Sequence, residues 1–319
     1  MFPELVTIGE TMAIFEASAD GPLRYVDQFN KRLGGAESNV AIGVTRLGHT
    51  AGWISQVGND ELGKYLVSAI RGEGVDTSRV TVDNDLPTGL YIKERIREGS
   101  TQVYYYRKGS AASQMNPSTF DWDYIKEAKI IHLTGITPFL SDTCFEAMKA
   151  ITDFAEGNQI LLSFDPNLRY KLMADHPNAK EIVLDFAKKA DILMPGIDEA
   201  EYLLGTRNYE EIAAYFLDHG VSKICIKNGE EGTYYSSKDG ASGFIPSFKV
   251  DRVIDPVGAG DGFAAGVLSG ILEGKSLEES VKMGATIGAM VVTVKGDIEG
   301  LPERQALEKF NGNQTDVLR

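Results

Sequence analysis

The segment DPVGAGDGFAAG, residues 255–266, has the residue types of an anion-binding loop. Gly258, Gly260 and Gly262 open a predicted helix, and glycine lets backbone N–H groups approach an anion at the end that the helix dipole favours. Asp261 lies among these glycines, where a carboxylate repels an anion unless it has a task, such as accepting the proton of an attacking hydroxyl. From spacing alone, an ordinary acidic residue in the first turn of a helix is an equally good interpretation.

A second glycine-led helix start, GGAESNVAIGVTRLG (34–48), lies near the beginning of the chain. Gly34 and Gly35 would allow a ligand close to the backbone, while Ser38 and Asn39 offer hydrogen bonds to hydroxyl groups. Asn39 could equally be an ordinary residue of the helix cap.

Two familiar phosphate motifs are excluded. EGKS (273–276) resembles the end of a Walker A loop, but that motif requires glycine at position 269, which is Ser269. No G-x-G-x-x-G follows the first predicted strand, LVTIG (5–9), which disfavours a dinucleotide-dependent dehydrogenase. The predicted anion site is therefore of a different kind.

The composition excludes several classes of protein. The 319 residues include 32 Lys and Arg against 46 Asp and Glu, a formal charge of −14, so no basic surplus is available for a nucleic-acid backbone. The longest apolar runs, such as IGAMVV (287–292), are far shorter than the roughly 20 residues of a membrane helix, and the N-terminus lacks the features of a secretory signal. Cys144 and Cys225 suit a reducing compartment. We therefore expect a cytoplasmic protein with no nucleic-acid or membrane partner.

Strand-like and helix-like segments alternate along most of the chain. This alternation predicts a mostly parallel sheet covered by helices on both faces, that is, a three-layer α/β core. The predicted strands are 5–9, 51–57, 129–135, 159–165, 191–195 and 223–229, and two long helices at about 259–273 and 276–293 close the domain.

Two stretches, residues 12–33 and 88–107, interrupt the alternation with β-prone runs that have no helix between them. The second has period two on either side of Gly99 and therefore predicts a hairpin. The two stretches could form a small sheet that stands off the core as a lid, or could extend one edge of the main sheet. We expect a single domain over residues 1–319 with these lid segments inserted in the core, and an exposed lid edge could pair with a second subunit.

The pairing of GGAESNVAIGVTRLG with DPVGAGDGFAAG strongly resembles the ribokinase/PfkB family of sugar kinases, across essentially the whole chain. The resemblance implies a ribokinase-like α/β core with a β-sheet lid and transfer of the γ-phosphoryl group of ATP to a sugar hydroxyl. The lid tyrosines, DPNLR (165–169) and VKGDIEGLP (294–302) are most similar to family members that act on 2-keto-3-deoxygluconate. They imply phosphorylation of its 6-hydroxyl to give 2-keto-3-deoxy-6-phosphogluconate.

For the transferring phosphoryl group, the resemblance implies that Asp261 is the general base and that Gly258, Ala259 and Gly260 form the anion hole. This reaction depends on positioning and charge neutralisation, so a backbone anion hole, a magnesium ion and one base suffice. The other implied ATP-binding residues are Lys227, Gly229 and Gly232 in the segment KNGEEG, and Ala285 and Gly288 on a later helix.

On the sugar side, Tyr105 and Arg107 share one face of the predicted hairpin, so both can point inward. An inward arginine favours a sugar acid, because a guanidinium matches a carboxylate in bidentate geometry; a solvated lid arginine is the alternative. Besides Asp261, the resemblance implies further substrate-binding residues at Gly34, Gly35, Ala36, Glu37, Ser38, Tyr91, Asn167, Arg169 and Asp297.

The sequence departs from the family pattern at two positions. Pro256 follows Asp255 where threonine is usual, and Gly196 replaces the asparagine of an N-x-x-E motif that is associated with magnesium and phosphate. Glu199 of that motif remains and is the expected Mg²⁺ residue. Asp255 and its neighbouring carbonyls could hold an activating monovalent cation such as K⁺, as the resemblance suggests.

Two rival functions stay open. Another sugar kinase of the family, a fructokinase or a ribokinase, would keep Asp261 and would not depend on Arg107. A non-catalytic sugar or nucleotide sensor on the same fold would explain the loss of the motif asparagine at Gly196, but the retained GAGD sequence speaks against it.

Overall fold

The computed structural model of the protein describes residues 2–97 and 100–311. The strands within these ranges are β1 (Leu5–Ile8), β2 (Met12–Ala17), β3 (Phe29–Gly34), β4 (Ala51–Gly58), β5 (Val80–Asp83), β6 (Leu90–Arg97), β7 (Ser100–Tyr106), β8 (Ile130–Thr134), β9 (Leu161–Asp165), β10 (Ile192–Leu193), β11 (Lys223–Asn228), β12 (Gly232–Ser237) and β13 (Ser242–Pro246).

The helices of the same ranges are α1 (Ala36–Arg46), α2 (Glu61–Gly72), α3 (Trp122–Lys126), α4 (Asp142–Asn158), α5 (Tyr170–Met173), α6 (Ala179–Lys189), α7 (Ile197–Leu204), α8 (Tyr209–Asp218), α9 (Ala259–Leu272), α10 (Leu277–Val291) and α11 (Arg304–Asn311). Short 3₁₀ helices lie at Leu23–Tyr25, Ala111–Gln114, Pro117–Thr119 and Thr137–Phe139. Side-chain caps begin several of the long helices: Asp60, Ser141 and Ser276 each accept a hydrogen bond from a backbone N–H in the first turn of α2, α4 and α10.

The larger sheet has the order β13-β12-β11-β10-β9-β8-β1-β4-β5. All neighbouring strands from β5 across to β11 pair in parallel, while β12 and β13 add an antiparallel hairpin at the other edge. The carboxyl ends of the parallel strands therefore meet at one edge of the sheet, where open α/β sheets bind their ligands.

Apolar side chains cover both faces of this sheet. On one face the buried cluster includes Ile151 of α4, Val183 of α6 and Phe216 of α8. The cluster on the other face includes Val44 of α1, Val267 of α9 and Ile287 of α10. The arrangement is the three-layer α/β core that the sequence predicts, with helices on both sides of a mostly parallel sheet.

A second, separate sheet of four strands has the order β3-β2-β6-β7. Its strands come from the two stretches that interrupt the alternation, and β2 pairs with β6 in parallel while β3 and β7 form the outer strands. These stretches therefore do not extend an edge of the main sheet. Gly99, which the sequence places in the hairpin turn between β6 and β7, lies outside the described residues.

The fold-class prediction is confirmed. Three strands of the structure are not predicted by the sequence, and one predicted strand is longer than the strand observed. β5, β12 and β13 were not predicted, because they lie outside the strand–helix alternation on which the prediction was based. β10 is only two residues long, since only Ile192 and Leu193 pair with β9 and β11. Within residues 2–97 and 100–311, no helix has the length and apolar character needed to cross a membrane.

Candidate active site

Three acidic or basic side chains gather where parallel strands of the main sheet end. Glu10 lies two residues after β1, Asp165 is the last residue of β9, and Lys227 lies near the end of β11. All three line one cavity of about 380 Å³ between the main sheet and the smaller sheet. We call it the lid-side cavity.

A second cavity of about 680 Å³ opens beside the first and is more apolar. It is lined by the glycine-rich turn between β11 and β12, by the loop of residues 247–253, and by small residues of α9 and α10. The two cavities share Lys227, Pro256 and Gly260, so they meet at the N-terminus of α9. We call the second cavity the helix-side cavity.

The start of α9 requires a glycine. Gly258 precedes the helix in the left-handed region, at φ 80°, which disfavours any residue with a Cβ. A Cβ at this position would also collide with the backbone carbonyl of Asp297. Gly260 in the first turn of α9 lines both cavities, and a helix start of this kind attracts anions.

Asp261 lies in the first turn of α9 and faces the lid-side cavity. Asn39 of α1 holds it: the Asn39 Nδ2 donates a hydrogen bond of 2.7 Å to the Asp261 Oδ2. The pKa of Asp261 is raised to about 7, chiefly by burial and in part by the negative charges of Asp165 and Asp297, while the Asn39 hydrogen bond opposes the rise. A carboxyl group with a pKa near neutrality can accept a proton efficiently.

Lys227 supplies a positive charge where the cavities meet. Its ammonium lies 2.5 Å from the Asp165 Oδ2, and a Cβ placed on Gly260 would lie 3.8 Å from its nitrogen. Burial alone would lower the pKa of Lys227, but Asp165 and Glu199 raise it above its ordinary value, so the ammonium stays charged. A fixed cation beside an open helix N-terminus suits a phosphate group.

The smaller sheet presents a row of side chains to the lid-side cavity. Tyr91 and Lys93 lie two residues apart on β6, so their side chains share the face toward the cavity. Tyr105 lies opposite Tyr91 on β7, with the two ring centroids 5.4 Å apart. Asp297 faces them from the core, and burial raises its pKa to about 7 although the nearby Lys93 ammonium lowers it. The cavity is therefore polar on both sides, as a polyhydroxylated ligand requires.

Arg107 lines the same cavity but has a protein partner. The Glu10 Oε2 accepts hydrogen bonds from the Arg107 Nε at 2.7 Å and the Arg107 Nη2 at 2.5 Å, and both side chains are buried. Ser110 donates to the other Glu10 oxygen at 2.5 Å. Arg107 is thus not a solvated lid charge. Because a guanidinium has five N–H donors, the pair still leaves donors for a ligand.

Most of the residues that the sequence singles out for the sugar side line the lid-side cavity. They are Gly34, Gly35, Ala36, Tyr91, Tyr105, Arg107, Asn167, Arg169, Asp261 and Asp297, together with Gly258 and Gly260. On the nucleotide side, Lys227, Gly229, Gly232, Ala259, Gly260, Ala285 and Gly288 line the helix-side cavity.

Glu37 and Ser38, for which the sequence predicts substrate binding, are not among the residues that line either cavity. Glu37 is buried behind α1, where it accepts hydrogen bonds from Thr134 at 2.7 Å and Thr137 at 3.1 Å. Ser38 donates to the Gly35 carbonyl instead. The reason is helical geometry, since Ala36 and Asn39 share the cavity face and the two residues between them point away from it.

The described side chains of this site supply only some of the ligands that a bound magnesium ion needs. Glu199 lines the lid-side cavity, but its two oxygens accept hydrogen bonds from the backbone of Leu168 and Gly196, each at 2.7 Å. In the described part of the chain, no group of three or more His, Cys, Asp or Glu side chains could hold a metal. The donors present therefore fit an ion that keeps waters and is carried by substrate phosphates, as Mg²⁺ prefers.

A monovalent cation at Asp255 does not fit the side chains around it. The Asp255 Oδ2 lies 3.2 Å from the Lys93 ammonium, and its Oδ1 accepts a hydrogen bond from the backbone of Val257 at 3.2 Å. Both carboxylate oxygens are engaged, and one of the partners is already a cation. The expected K⁺ role of Asp255 thus disagrees with the structure.

Three residues of the site, Glu10, Lys93 and Asp165, are not singled out by the sequence, and for Asn39 the sequence leaves a capping role equally open. Glu10 follows one buried strand and Asp165 ends another, which is a usable signal in a parallel sheet. Lys93 shares the period-two face of Tyr91 on the hairpin. The contact between Asn39 and Asp261 joins residues 222 positions apart, and no local pattern predicts it.

Comparisons with known proteins agree with this geometry. The pfkB family of carbohydrate kinases matches residues 3–304. The chain is 45% identical over 316 residues to a 2-dehydro-3-deoxygluconokinase from Bacillus subtilis, covering 98% of this chain and 97% of that one. It is 37% identical to a 2-dehydro-3-deoxygluconokinase from Thermoproteus tenax, covering 96% and 93% of the two chains.

Among solved structures, a protein described as a ribokinase II from E. coli, in complex with ATP and Mg²⁺, superposes with a TM-score of 0.90. That structure is 27% identical, and the match covers 98% of this chain and 100% of the other. The fold is that of a carbohydrate kinase. The chain belongs to the pfkB family.

We predict that Asp261→Asn makes the folded protein more stable at pH 8. The folded-state pKa of about 7 lies above the roughly 3.9 of an unfolded aspartate, so the native state holds a proton that the unfolded state loses. Wild-type stability therefore falls as the pH rises from about 4 to 7, and the variant should avoid this loss. Denaturant unfolding at pH 8 should show a gain on the order of 1–2 kcal/mol.

The matched control is Asp185→Asn, a change of the same type at an exposed position on α6. It should alter the free energy of unfolding by less than about 0.5 kcal/mol at either pH. Equal behaviour of the two variants between pH 5 and pH 8 would contradict the raised pKa of Asp261.

Proposed function

We propose that the protein is an ATP-dependent kinase that phosphorylates the 6-hydroxyl of 2-keto-3-deoxygluconate, also called 2-dehydro-3-deoxygluconate. The observation that carries the proposal is the position of Asp261, in a helix N-terminus where a polar cavity and a more apolar cavity meet. Membership of a carbohydrate kinase family and similarity to two 2-dehydro-3-deoxygluconokinases support the reaction and the substrate.

In this proposal the sugar acid binds in the lid-side cavity and ATP binds in the helix-side cavity. Both volumes lie in the usual range of small-molecule sites. The small residues Ala285 and Gly288 leave room for the adenine ring, and Gly229 and Gly232 let the backbone approach the ribose and phosphates. The triphosphate then points toward Lys227 and Gly260, which both cavities share.

The transfer step follows from these positions. Asp261 accepts the proton of the substrate 6-hydroxyl while the oxygen of that hydroxyl bonds to the γ-phosphorus of ATP. The bond between that phosphorus and the oxygen that ADP keeps breaks in the same step. Backbone N–H groups of Gly258, Ala259 and Gly260, with the Lys227 ammonium, stabilise the charge on the transferring group. Asp261 then releases its proton to solvent, leaving ADP and the 6-phosphate.

Magnesium belongs to the proposal as the ion that neutralises the charge of the triphosphate. Support comes from the similar E. coli structure, which holds ATP and Mg²⁺, and from the acidic side chains Asp165 and Glu199 on the cavity wall. Because their oxygens already accept protein hydrogen bonds, these two residues would orient waters of the ion.

The smaller sheet acts as a lid in this proposal. Strands β6 and β7 cover the lid-side cavity with Tyr91, Lys93 and Tyr105, and a cover of this kind excludes water that would otherwise accept the phosphoryl group. The outer strands leave an unpaired edge that a second copy of the chain could use. A cytoplasmic location is part of the proposal and agrees with two free, buried cysteines.

A kinase for a neutral sugar is the second candidate, and the ion pair between Glu10 and Arg107 is the observation that favours it. An arginine whose charge is balanced by a neighbouring glutamate attracts a substrate carboxylate less strongly than an unpaired arginine does. The two candidates differ in their substrate charge and can be separated directly.

The first test is a substrate panel. ADP release with ATP and Mg²⁺ should be measured for 2-keto-3-deoxygluconate, its galactonate epimer, gluconate, fructose and ribose. We expect kcat/KM for 2-keto-3-deoxygluconate to exceed that for fructose and ribose by about 100-fold or more, since a buried polar site penalises a substrate that leaves it unpaired. A preference for a neutral sugar would overturn the sugar-acid assignment, and no turnover with any of the five would contradict the kinase assignment.

Arg107→Ala should raise KM for 2-keto-3-deoxygluconate by roughly 10-fold to 100-fold, because a guanidinium hydrogen-bonds a carboxylate strongly. KM for a neutral sugar should change much less. Arg95→Ala is the control, since Arg95 is another arginine of the smaller sheet, on β6, but pairs with Asp20 outside the cavity. Equal effects of Arg107→Ala on acidic and neutral substrates would show that Arg107 does not bind the carboxylate.

A further inference from the structure

A lysine of the smaller sheet reaches the core loop that leads into α9. Lys93 lies on β6, lines the lid-side cavity, and places its ammonium 3.2 Å from the Oδ2 of Asp255. The side chains of both residues are largely buried, with 16% of Lys93 and 10% of Asp255 exposed. Asp255 comes three residues before Gly258, at which the anion-attracting helix start begins.

Asp255 is held in place from several directions. Its own backbone N–H and that of Ile254 donate to the Val292 carbonyl at 3.3 Å and 2.8 Å, just after α10 ends. Its Oδ1 accepts from the Val257 backbone at 3.2 Å. A buried carboxylate of this kind needs a positive partner, because an uncompensated charge away from water is costly. Lys93 is that partner.

Two carboxylates, those of Asp255 and Asp297, lie near the Lys93 ammonium. Asp297 faces it from the loop after α10, and the Lys93 ammonium opposes the effect of burial on the pKa of Asp297. Glu16 on β2 and Glu299 near Asp297 have other cationic partners, which are Lys295 at 3.0 Å and Arg32 respectively. Lys93 thus compensates Asp255 directly, and it acts on Asp297 together with Arg32.

We propose that the Lys93 ammonium serves as a built-in monovalent cation for Asp255, so that phosphoryl transfer by this protein does not require K⁺. The inference rests on the proposed kinase function. Its basis is that both carboxylate oxygens of Asp255 already have partners, one of which is the Lys93 ammonium, so this side chain does not fit a K⁺ site. Because Lys93 belongs to the smaller sheet, the ion pair also links the position of that sheet to the loop that shapes the start of α9.

The first experiment compares wild-type protein in KCl and in tetramethylammonium chloride at equal ionic strength, so that screening is constant. We expect kcat for 2-keto-3-deoxygluconate to differ by less than about twofold between the two salts. The melting temperature should likewise be the same in both. A wild-type kcat that rises fivefold or more with K⁺, or a melting temperature that rises with K⁺ alone, would overturn the inference.

The second experiment uses Lys93→Met, which keeps the length of the side chain and removes its charge. In tetramethylammonium chloride its kcat should fall by roughly 10-fold or more, because Asp255 is left without a counter-charge. KCl should restore a large part of this loss. K⁺ at about ten times its dissociation constant should also raise the melting temperature of the variant by about 2 °C, a readout that does not depend on turnover.

Lys295→Met is the matched control, because Lys295 makes another ion pair between the core and the smaller sheet, with Glu16 at 3.0 Å. It should remain independent of K⁺ in both assays. A K⁺ response of the same size in Lys295→Met would show a general effect of loosening the sheet and would overturn the assignment to Asp255.

Two further outcomes separate the inference from the function on which it rests. If Lys93→Met raises KM for 2-keto-3-deoxygluconate but gains no response to K⁺ in turnover or melting temperature, Lys93 binds substrate and the inference is wrong. If wild-type protein phosphorylates none of the sugars, the proposed function fails. The melting temperatures of wild type and Lys93→Met in the two salts still decide the inference in that case.

Discussion

A carboxylate held at the N-terminus of a helix, at the junction of two cavities, is the constraint on which the rest of the site depends. Asp261 would repel a phosphate if it were permanently ionised, and burial raises its pKa to about 7. The hydrogen bond from Asn39 fixes its direction across α1 and α9. Gly258 permits the tight turn that leaves the helix start open. A base and an anion site can therefore occupy the same turn of helix.

The surrounding charges follow from that arrangement. The carboxylates of Asp165, Glu199 and Asp261 lie near the ammonium of Lys227 on the core side of the site. The ammonium balances part of their negative charge and forms an ion pair with Asp165. On the side of the smaller sheet, Lys93 has the same relation to Asp255, and Arg107 to Glu10. Each of these three cations is thus paired before any substrate binds, which keeps the site charged without leaving them as isolated charges away from water.

The sequence predicts the fold class and most of the cavity walls, because glycine-led helix starts and strand–helix alternation are local patterns. It also predicts that Tyr105 and Arg107 lie on one face, since a strand has period two. It fails where tertiary contacts decide the outcome. Glu37 belongs to the GGAES segment but turns behind α1, and the partners of Asp255 and Arg107 come from other elements. The partner of Asp261 is distant in sequence, and the resemblance to a family names residues without naming their partners.

The most direct test of the account is the pH dependence of kcat/KM for 2-keto-3-deoxygluconate between pH 5.5 and 8.5, with saturating MgATP and with folding checked at each pH. If Asp261 is the base, kcat/KM should rise about tenfold per pH unit up to about pH 7 and then level off. Asp261→Asn should be slow and independent of pH, whereas Asp297→Asn should keep the rise. A flat wild-type profile, or the same rise in Asp261→Asn, would contradict the central claim.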